Sequence, residues 1–254
     1  MNSAVKPQFK NQPLKPMLII LMGNAFEGIA NQIGDFDEWI QNALSDMEVE
    51  VINPKTHMLP NPLHYSGIIL TGSHAMVTDQ EVWSQEVSDW LYICRRLDVS
   101  ILGICYGHQL IAQTFGGWVE NNPKGLEIGT HLINLNENVK EDILFNGLPQ
   151  KISAHLVHYQ SVIQLPKGAT LLASNQHDKH QAYRLGKYIW GVQFHPEFTE
   201  ESMQGYIDNV LEDESLKDKM KLNMKNTKFS QQLLINFQNY CIQRHNNLAY
   251  TVSN

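Results

Sequence analysis

The segment Ile101-Leu102-Gly103-Ile104-Cys105-Tyr106-Gly107-His108-Gln109-Leu110 reads as a short apolar strand, a G-x-C-x-G turn and an apolar-periodic helix that stops at Gly116-Gly117. So sharp a turn holds its apex residue in a strained backbone conformation, and side chains at the flanking positions would collide with neighbouring backbone. Gly103 and Gly107 occupy those positions. The turn also sets the Cys105 thiol at the start of a helix, where free amides and the helix dipole favour thiolate. A free cysteine is otherwise a small buried hydrophobe. That is the reading for Cys94 and Cys241, which lie in apolar helical stripes; for Cys105 the coincidence of strand, glycine spacing and helix predicts a nucleophile.

A thiolate nucleophile needs a base, and the base needs an orienting group. Gly191-Val192-Gln193-Phe194-His195-Pro196-Glu197 offers both at a strand end, because an i, i+2 spacing in extended backbone sends two side chains the same way. His195 is expected to deprotonate Cys105 and later protonate the leaving amine, with Glu197 fixing its tautomer. His-x-Glu also occurs in zinc deaminases, but those need a downstream Pro-Cys-x-x-Cys, and the only cysteine after His195 is Cys241. No metal site is expected. His155 with His158, and His177 with His180, read as surface or hydrogen-bonded residues, since no carboxylate or thiol completes a ligand set. An oxyanion needs preorganised donors. The amide of Tyr106, directly after the nucleophile, is one; Ser73, in the Gly72-Ser73 turn after the Ile68–Leu70 strand, is the second candidate against the alternative of an ordinary loop.

The order Cys, His, Glu differs from α/β-hydrolases, where the acid precedes the histidine. The two motifs resemble those of the class I (triad-type) glutamine amidotransferases, and the stand-alone GMP-synthase-like members look nearest: they share the Thr71-Gly72-Ser73 turn, Trp83, and Pro123-Lys124-Gly125-Leu126-Glu127-Ile128-Gly129. The resemblance covers about residues 17 to 212. It implies that Cys105 attacks the side-chain amide of glutamine, forms a γ-glutamyl thioester and releases ammonia, water then freeing glutamate. It implies no cofactor. Gln109, Gly72 and the backbone around Tyr159 and Gln160 would contact the substrate, the latter two holding its α-amino and α-carboxyl groups. Two positions depart from GMP synthases: Gly72-Ser73-His74 replaces Gly-Gly-Pro, and His158-Tyr159-Gln160 replaces His-x-Asp, which removes a carboxylate from the loop expected near the α-amino group. After Leu211 only a helical stretch remains, so the expectation is a glutamine-hydrolysing half acting alone or with a separate ammonia-accepting synthase. A γ-glutamyl peptidase or hydrolase is the alternative, and a catalytically silent binding or regulatory protein of the same fold the second.

Positioning these residues requires strands that alternate with helices. Met17–Met22, Val49–Ile52, Ser66–Leu70 and Val99–Gly103 are short apolar runs of the kind buried on both faces of a parallel sheet, with amphipathic helices over Asp35–Leu44 and Val82–Leu97 between them. From Gly125 to Phe194 the strand-like runs Ile128–Leu135, Lys151–Val157, Thr170–Ala173 and Tyr188–Phe194 predict an antiparallel or mixed portion. Helices follow over Glu200–Leu211, through a lysine-bearing stretch, Leu216–Lys228, and over a last amphipathic segment with Leu233, Leu234, Phe237 and Cys241. The expected fold is α/β, an open, mostly parallel or mixed sheet with helices on both faces, flavodoxin-like, with a nucleophile elbow at Cys105. Residues 1–16 read as a polar tail, 17–212 as the catalytic unit and 213–254 as a helical extension.

Composition bounds the rest. With 19 Lys and Arg against 26 Asp and Glu the net charge is −7, which disfavours binding a phosphate backbone, so no nucleic-acid partner is expected. Lys217, Lys219, Lys221, Lys225 and Lys228 form either a solvated helical face or a dock for an acidic partner. The apolar run Met17–Met22 is too short to cross a bilayer, and three widely spaced cysteines build no disulfide framework. A cytoplasmic protein with no membrane association is expected.

Overall fold

A computed structural model of the chain describes residues 13–45 and 47–252, with side chains up to residue 247. Most of the predicted tail lies outside the described residues. Its last part is tied down, with Ser66 donating its amide to the Pro16 carbonyl at 2.9 Å.

The apolar runs are strands. β1 (Met17–Ile20) is buried throughout and pairs in parallel with β2 (Val49–Ile52) on one side and β3 (Gly67–Leu70) on the other. Between β1 and β2 come α1 (Glu27–Ile33) and α2 (Phe36–Ala43). Asp35 caps α2 in a capping box with Glu38, satisfying amides that the first turn leaves free. Then follow α3 (Val82–Arg96), β4 (Ile101–Ile104) and α4 (Tyr106–Thr114). The second half adds β5 (Trp118–Asn121), β6 (Glu127–Leu135), β7 (Lys151–His158), β8 (Gln160–Gln164), β9 (Ala169–Ser174), β10 (Ala182–Leu185) and β11 (Ile189–Val192). It closes with α5 (Glu200–Val210), α6 (Glu214–Leu222) and α7 (Lys228–Val252).

The main sheet has nine strands in the order β2-β1-β3-β4-β11-β10-β9-β6-β7. Pairings from β2 through β11 are parallel, and those from β10 to β7 antiparallel, which is the mixed α/β sheet the sequence predicts. β5 and β8 form a separate antiparallel pair. Alternate residues of the parallel strands feed two apolar layers. Met17, Ile19, Ile69 and Leu102 meet Ile40 of α2 and Leu233, Leu234 and Phe237 of α7, whereas Leu18, Ile20, Ile68 and Ile101 meet Val87, Trp90 and Leu91 of α3 and Ile111 of α4. A third cluster, containing Ile29, Phe36, Trp39, Phe198 and Tyr206, joins α1, α2 and α5 at the end of the sheet where the parallel strands finish. Among the described residues no helix is long and apolar enough to cross a membrane.

Cys94 and Cys241 are fully buried in the two core layers, and burial drives both thiols up, that of Cys241 to about 12. They are core residues. The lysine-bearing stretch folds largely as α6, where Lys217 pairs with Glu214 at 2.7 Å and Lys221 with Asp208 at 2.5 Å, so part of its charge is neutralised within the chain.

The helix α4 is laid against β3 so closely that only glycine fits at the contact. A Cβ on Gly107 would stand 2.6 Å from Leu70 Cβ and 2.7 Å from the Leu70 carbonyl oxygen, and one on Gly103 would stand 2.6 Å from the Gly107 carbonyl. Gly107→Ala is expected to lower stability by at least about 1–3 kcal/mol, because a strand backbone cannot yield as a side-chain tip can. A urea midpoint unchanged from that of the wild type would show that the contact relaxes at no cost.

Candidate active site

β3, β4 and β11 are neighbours and parallel, so their carboxyl ends open on one crevice, the place where open α/β sheets bind ligands. The Gly72-Ser73 turn follows β3, Cys105 follows β4, and His195 lies three residues beyond β11. Cys105 has φ 50° and ψ −100°, a left-handed conformation that a non-glycine residue holds at a cost of order 1–3 kcal/mol and that concentrates at functional sites. The strand and helix around it enforce the strain: the Cys105 amide donates to the Val192 carbonyl at 2.9 Å, and its carbonyl accepts from the Gln109 amide at 3.1 Å. The thiol faces the Val157 carbonyl at 3.8 Å.

His195 is held by its neighbours on every side. Its amide donates to the His155 carbonyl at 2.9 Å, Nδ1 meets Glu197 Oε1 at 2.7 Å, and the ring stacks on Phe198 with centroids 4.1 Å apart. The i, i+2 spacing does bring the two side chains together, though through a turn after β11 rather than along a strand. Gly72 closes the triangle, since a Cβ there would lie 3.0 Å from His195 Cε1 and 3.7 Å from Cys105 Cβ. With Nδ1 engaged by Glu197, His195 Nε2 is buried without a hydrogen-bond partner among the described residues. Burial opposes a charge on this ring, but the Glu197 carboxylate and then the charge of Cys105 outweigh it and raise His195 to about 10. Burial, and after it the charge of the neighbouring His195, lowers His155 to about 4.

The crevice is a cavity of about 330 Å³, within the roughly 300–1,000 Å³ of small-molecule sites, and Cys105, Tyr106, Ser73, Gln109, Gln160 and His195 all line it. Tyr106 buries its side chain against Trp83, its hydroxyl bonded to Ser84 Oγ at 2.8 Å, and its amide, as the first of α4, has no acceptor within the helix. Tyr159 stands on the rim, 47% exposed. Gln109 donates both protons of its amide inward, to the Gln160 carbonyl at 2.7 Å and to Gln193 Oε1 at 2.9 Å. Gln160 fixes its own side chain through Nε2, bonded to Thr78 Oγ1 at 2.7 Å and Asn121 Oδ1 at 3.1 Å, while its buried Oε1 has no hydrogen-bond partner among the described residues.

The loop behind Gln160 rests on a pair that the sequence reading misses. His158, expected at the surface or hydrogen-bonded, is buried and hydrogen-bonded, bridging the Gln160 carbonyl (Nδ1, 2.9 Å) to Glu127 Oε2 (Nε2, 2.9 Å). Glu127 is buried as well, and accepts from Asn175 at 2.6 Å and Gln181 at 2.9 Å. Burial penalises its charge, but the bonds and charges of its partners, His158 first, hold its carboxyl below the usual range. His158 therefore has a carboxylate partner, as a positioning pair and not a metal set. His177 and His180 are hydrogen-bonded to backbone carbonyls, as expected.

A family model described as glutamine amidotransferase class-I matches residues 31–213. The chain belongs to that family. The GMP synthase (glutamine-hydrolysing) of Thermosipho africanus is 34% identical over 198 residues, 77% of this amidotransferase-family chain but 34% of that protein, so the chain spans about a third of that relative's length. Gamma-glutamyl peptidase 5 of Arabidopsis thaliana is 30% identical over 171 residues, covering 64% of this chain and 67% of the peptidase. Among solved structures, a glutamine amidotransferase from Thermotoga maritima superposes with a TM-score of 0.73 at 20% identity, over 90% of this chain and 98% of that one. At that identity the likeness speaks for the fold, and it agrees with the α/β architecture above.

Proposed function

We propose that this family member hydrolyses a γ-glutamyl amide, glutamine in the leading case, through a thioester on Cys105. His195 takes the thiol proton, Cys105 Sγ attacks the amide carbon, and the oxyanion is received by the amides of Tyr106 and Ser73. The imidazolium then gives its proton to the departing nitrogen, the C–N bond breaks, and water activated by the same histidine cleaves the thioester to glutamate. Glu197 keeps the proton of His195 on Nδ1 between steps, so Nε2 stays available to the sulfur. The observation that carries this reading is a cysteine at φ 50° beside a histidine whose Nδ1 is 2.7 Å from a buried carboxylate, all at the ends of adjacent parallel strands. Gln109, Gly72, Tyr159 and Gln160 are assigned to the γ-glutamyl group, whose α-ammonium finds the free Oε1 of Gln160 where a carboxylate would otherwise stand. No cofactor takes part. The thiol mechanism suits the cytoplasm, where thiols stay reduced, and ammonia released there would be available to a separate synthase.

A second reading, hydrolysis of γ-glutamyl amides other than glutamine, is favoured by the likeness to gamma-glutamyl peptidase 5, of which the chain covers 67%, against 34% of the GMP synthase. Treatment with a glutamine-analogue electrophile should add one γ-glutamyl adduct, located at Cys105 by mass spectrometry, and purified protein should release ammonia from glutamine or amine from γ-glutamyl dipeptides. Protein that is neither labelled nor active on any of them is not this enzyme.

A further inference from the structure

We infer that the cavity carries a leaving-group subsite built for a bulky, neutral, aromatic or apolar amine, so that the favoured substrates are γ-glutamyl amides of such amines. The inference rests on the γ-glutamyl transfer to Cys105 proposed above. In that reaction the γ-glutamyl arm is assigned to Gln109 and Gln160, which line the cavity, while the nitrogen that leaves must sit at His195 Nε2 to receive its proton. Whatever the nitrogen carries therefore meets the wall beyond His195.

That wall is aromatic. Phe36 stacks beside the His195 ring with centroids 6.1 Å apart, Tyr206 follows Phe36 at 6.4 Å, Phe26 follows Tyr206 at 5.2 Å and His74 follows Phe26 at 4.3 Å. One polar pair in this wall is turned inward on itself, His74 Nε2 meeting the Tyr206 hydroxyl at 3.1 Å. Ammonia would touch none of these rings; a ring or alkyl chain on the nitrogen would touch several. Size agrees, since about 150 Å³ suffices for a benzene ring and the cavity offers about 330 Å³. The lining also selects against an amino-acid leaving group. Among the described residues no Lys, Arg, Asp or Glu lines the cavity, so the wall beyond His195, whose own charge is paired with Glu197, offers no cationic side chain of that kind to the leaving group's carboxylate in a γ-glutamyl dipeptide.

The test compares kcat/KM for glutamine, γ-glutamylglycine and γ-glutamyl benzylamide, an unactivated amide whose nitrogen, once protonated by His195, departs as a neutral amine that carries a ring. The benzylamide is expected to exceed both others at least tenfold, chiefly through KM. Phe26→Ala, which removes a ring from the wall, and Val210→Trp, which fills the space at the end of α5, should each reduce the benzylamide-to-glutamine ratio roughly tenfold. Glutamine or γ-glutamylglycine matching the benzylamide, or a ratio unmoved in both variants with native circular dichroism, would overturn the subsite while leaving Cys105 chemistry intact. No turnover of any substrate and no labelling of Cys105 would remove both together.

Discussion

Cys105→Ala is expected to reduce turnover of γ-glutamyl amides on the order of 10⁴–10⁶-fold, with the fold retained. The size follows from the way a nucleophile, its base and its orienting acid act as one unit, so that deleting the nucleophile forfeits nearly everything the group contributes. The fold survives because the strain at φ 50° is imposed by β4 and α4 and is no worse for alanine than for cysteine, and because the lost sulfur leaves a small gap that opens on the cavity. Cys105→Ser should be almost as damaging, since the hydroxyl ionises far less readily than the thiol and His195 is tuned to meet a thiolate. The contrast comes from the other two cysteines. Cys94→Ala and Cys241→Ala remove buried sulfur from the two core layers and should lower the thermal midpoint by a few degrees without altering kcat/KM. Ammonia release measured on the four variants, alongside circular dichroism, would refute the assignment if Cys105→Ala kept a hundredth of wild-type activity.

How far such a site is legible in sequence depends on whether its constraints are local. The elbow is legible because strand, glycines, cysteine and helix lie within ten consecutive residues, and each is demanded by a contact a few ångströms away, as Gly107 is by Leu70. Glu197 is legible for the same reason, two residues from its partner. Glu127 is not: one carboxylate in an apolar strand gives no periodic signal, and its partner His158 is 31 residues on, brought opposite only by the β6–β7 register. The aromatic wall is harder still, since Phe26, Phe36 and Tyr206 come from the N-cap of α1, from α2 and from α5, each of which reads alone as ordinary core. Among elements, the parallel strands stand out because burial on both faces makes them continuous apolar runs. β5 and β8 escape the reading because most β5 positions are exposed and their pairing is with each other, outside the main sheet. β10 is four residues long and interrupted by Arg184, and α1 contains Gly28, lacks a side-chain cap and buries only Ile29. The last helix is legible as amphipathic, but that its stripe covers the sheet face opposite α3 and α4 follows only from topology.

Glu197→Gln is expected to cost about 10²–10⁴-fold in kcat and to reshape the pH profile, which a simple loss of structure would not do. An amide at position 197 can donate to His195 Nδ1 but carries no charge. The ring then keeps its proton on Nε2, facing the sulfur, where it cannot act as a base. Removing the carboxylate also removes the first of the charges that hold His195 at about 10 against the opposing effect of burial, so the imidazolium becomes weaker as well as misplaced. In the wild type the protonated ring, assigned above to deliver the proton to the departing nitrogen, persists until pH rises through about 10, and the alkaline limb of the kcat/KM profile should lie there. In Glu197→Gln that limb moves to lower pH. Stability carries the same sign. A histidine raised in the folded state contributes stability that is fully present below its unfolded value near 6.5 and is lost as pH climbs through about 10. The difference in unfolding free energy between wild type and Glu197→Gln should therefore be largest in mildly acidic solution and shrink steadily between pH 6.5 and 10. Chemical denaturation across that range, with kcat/KM measured in parallel, would contradict the pairing if the difference were flat or grew with pH.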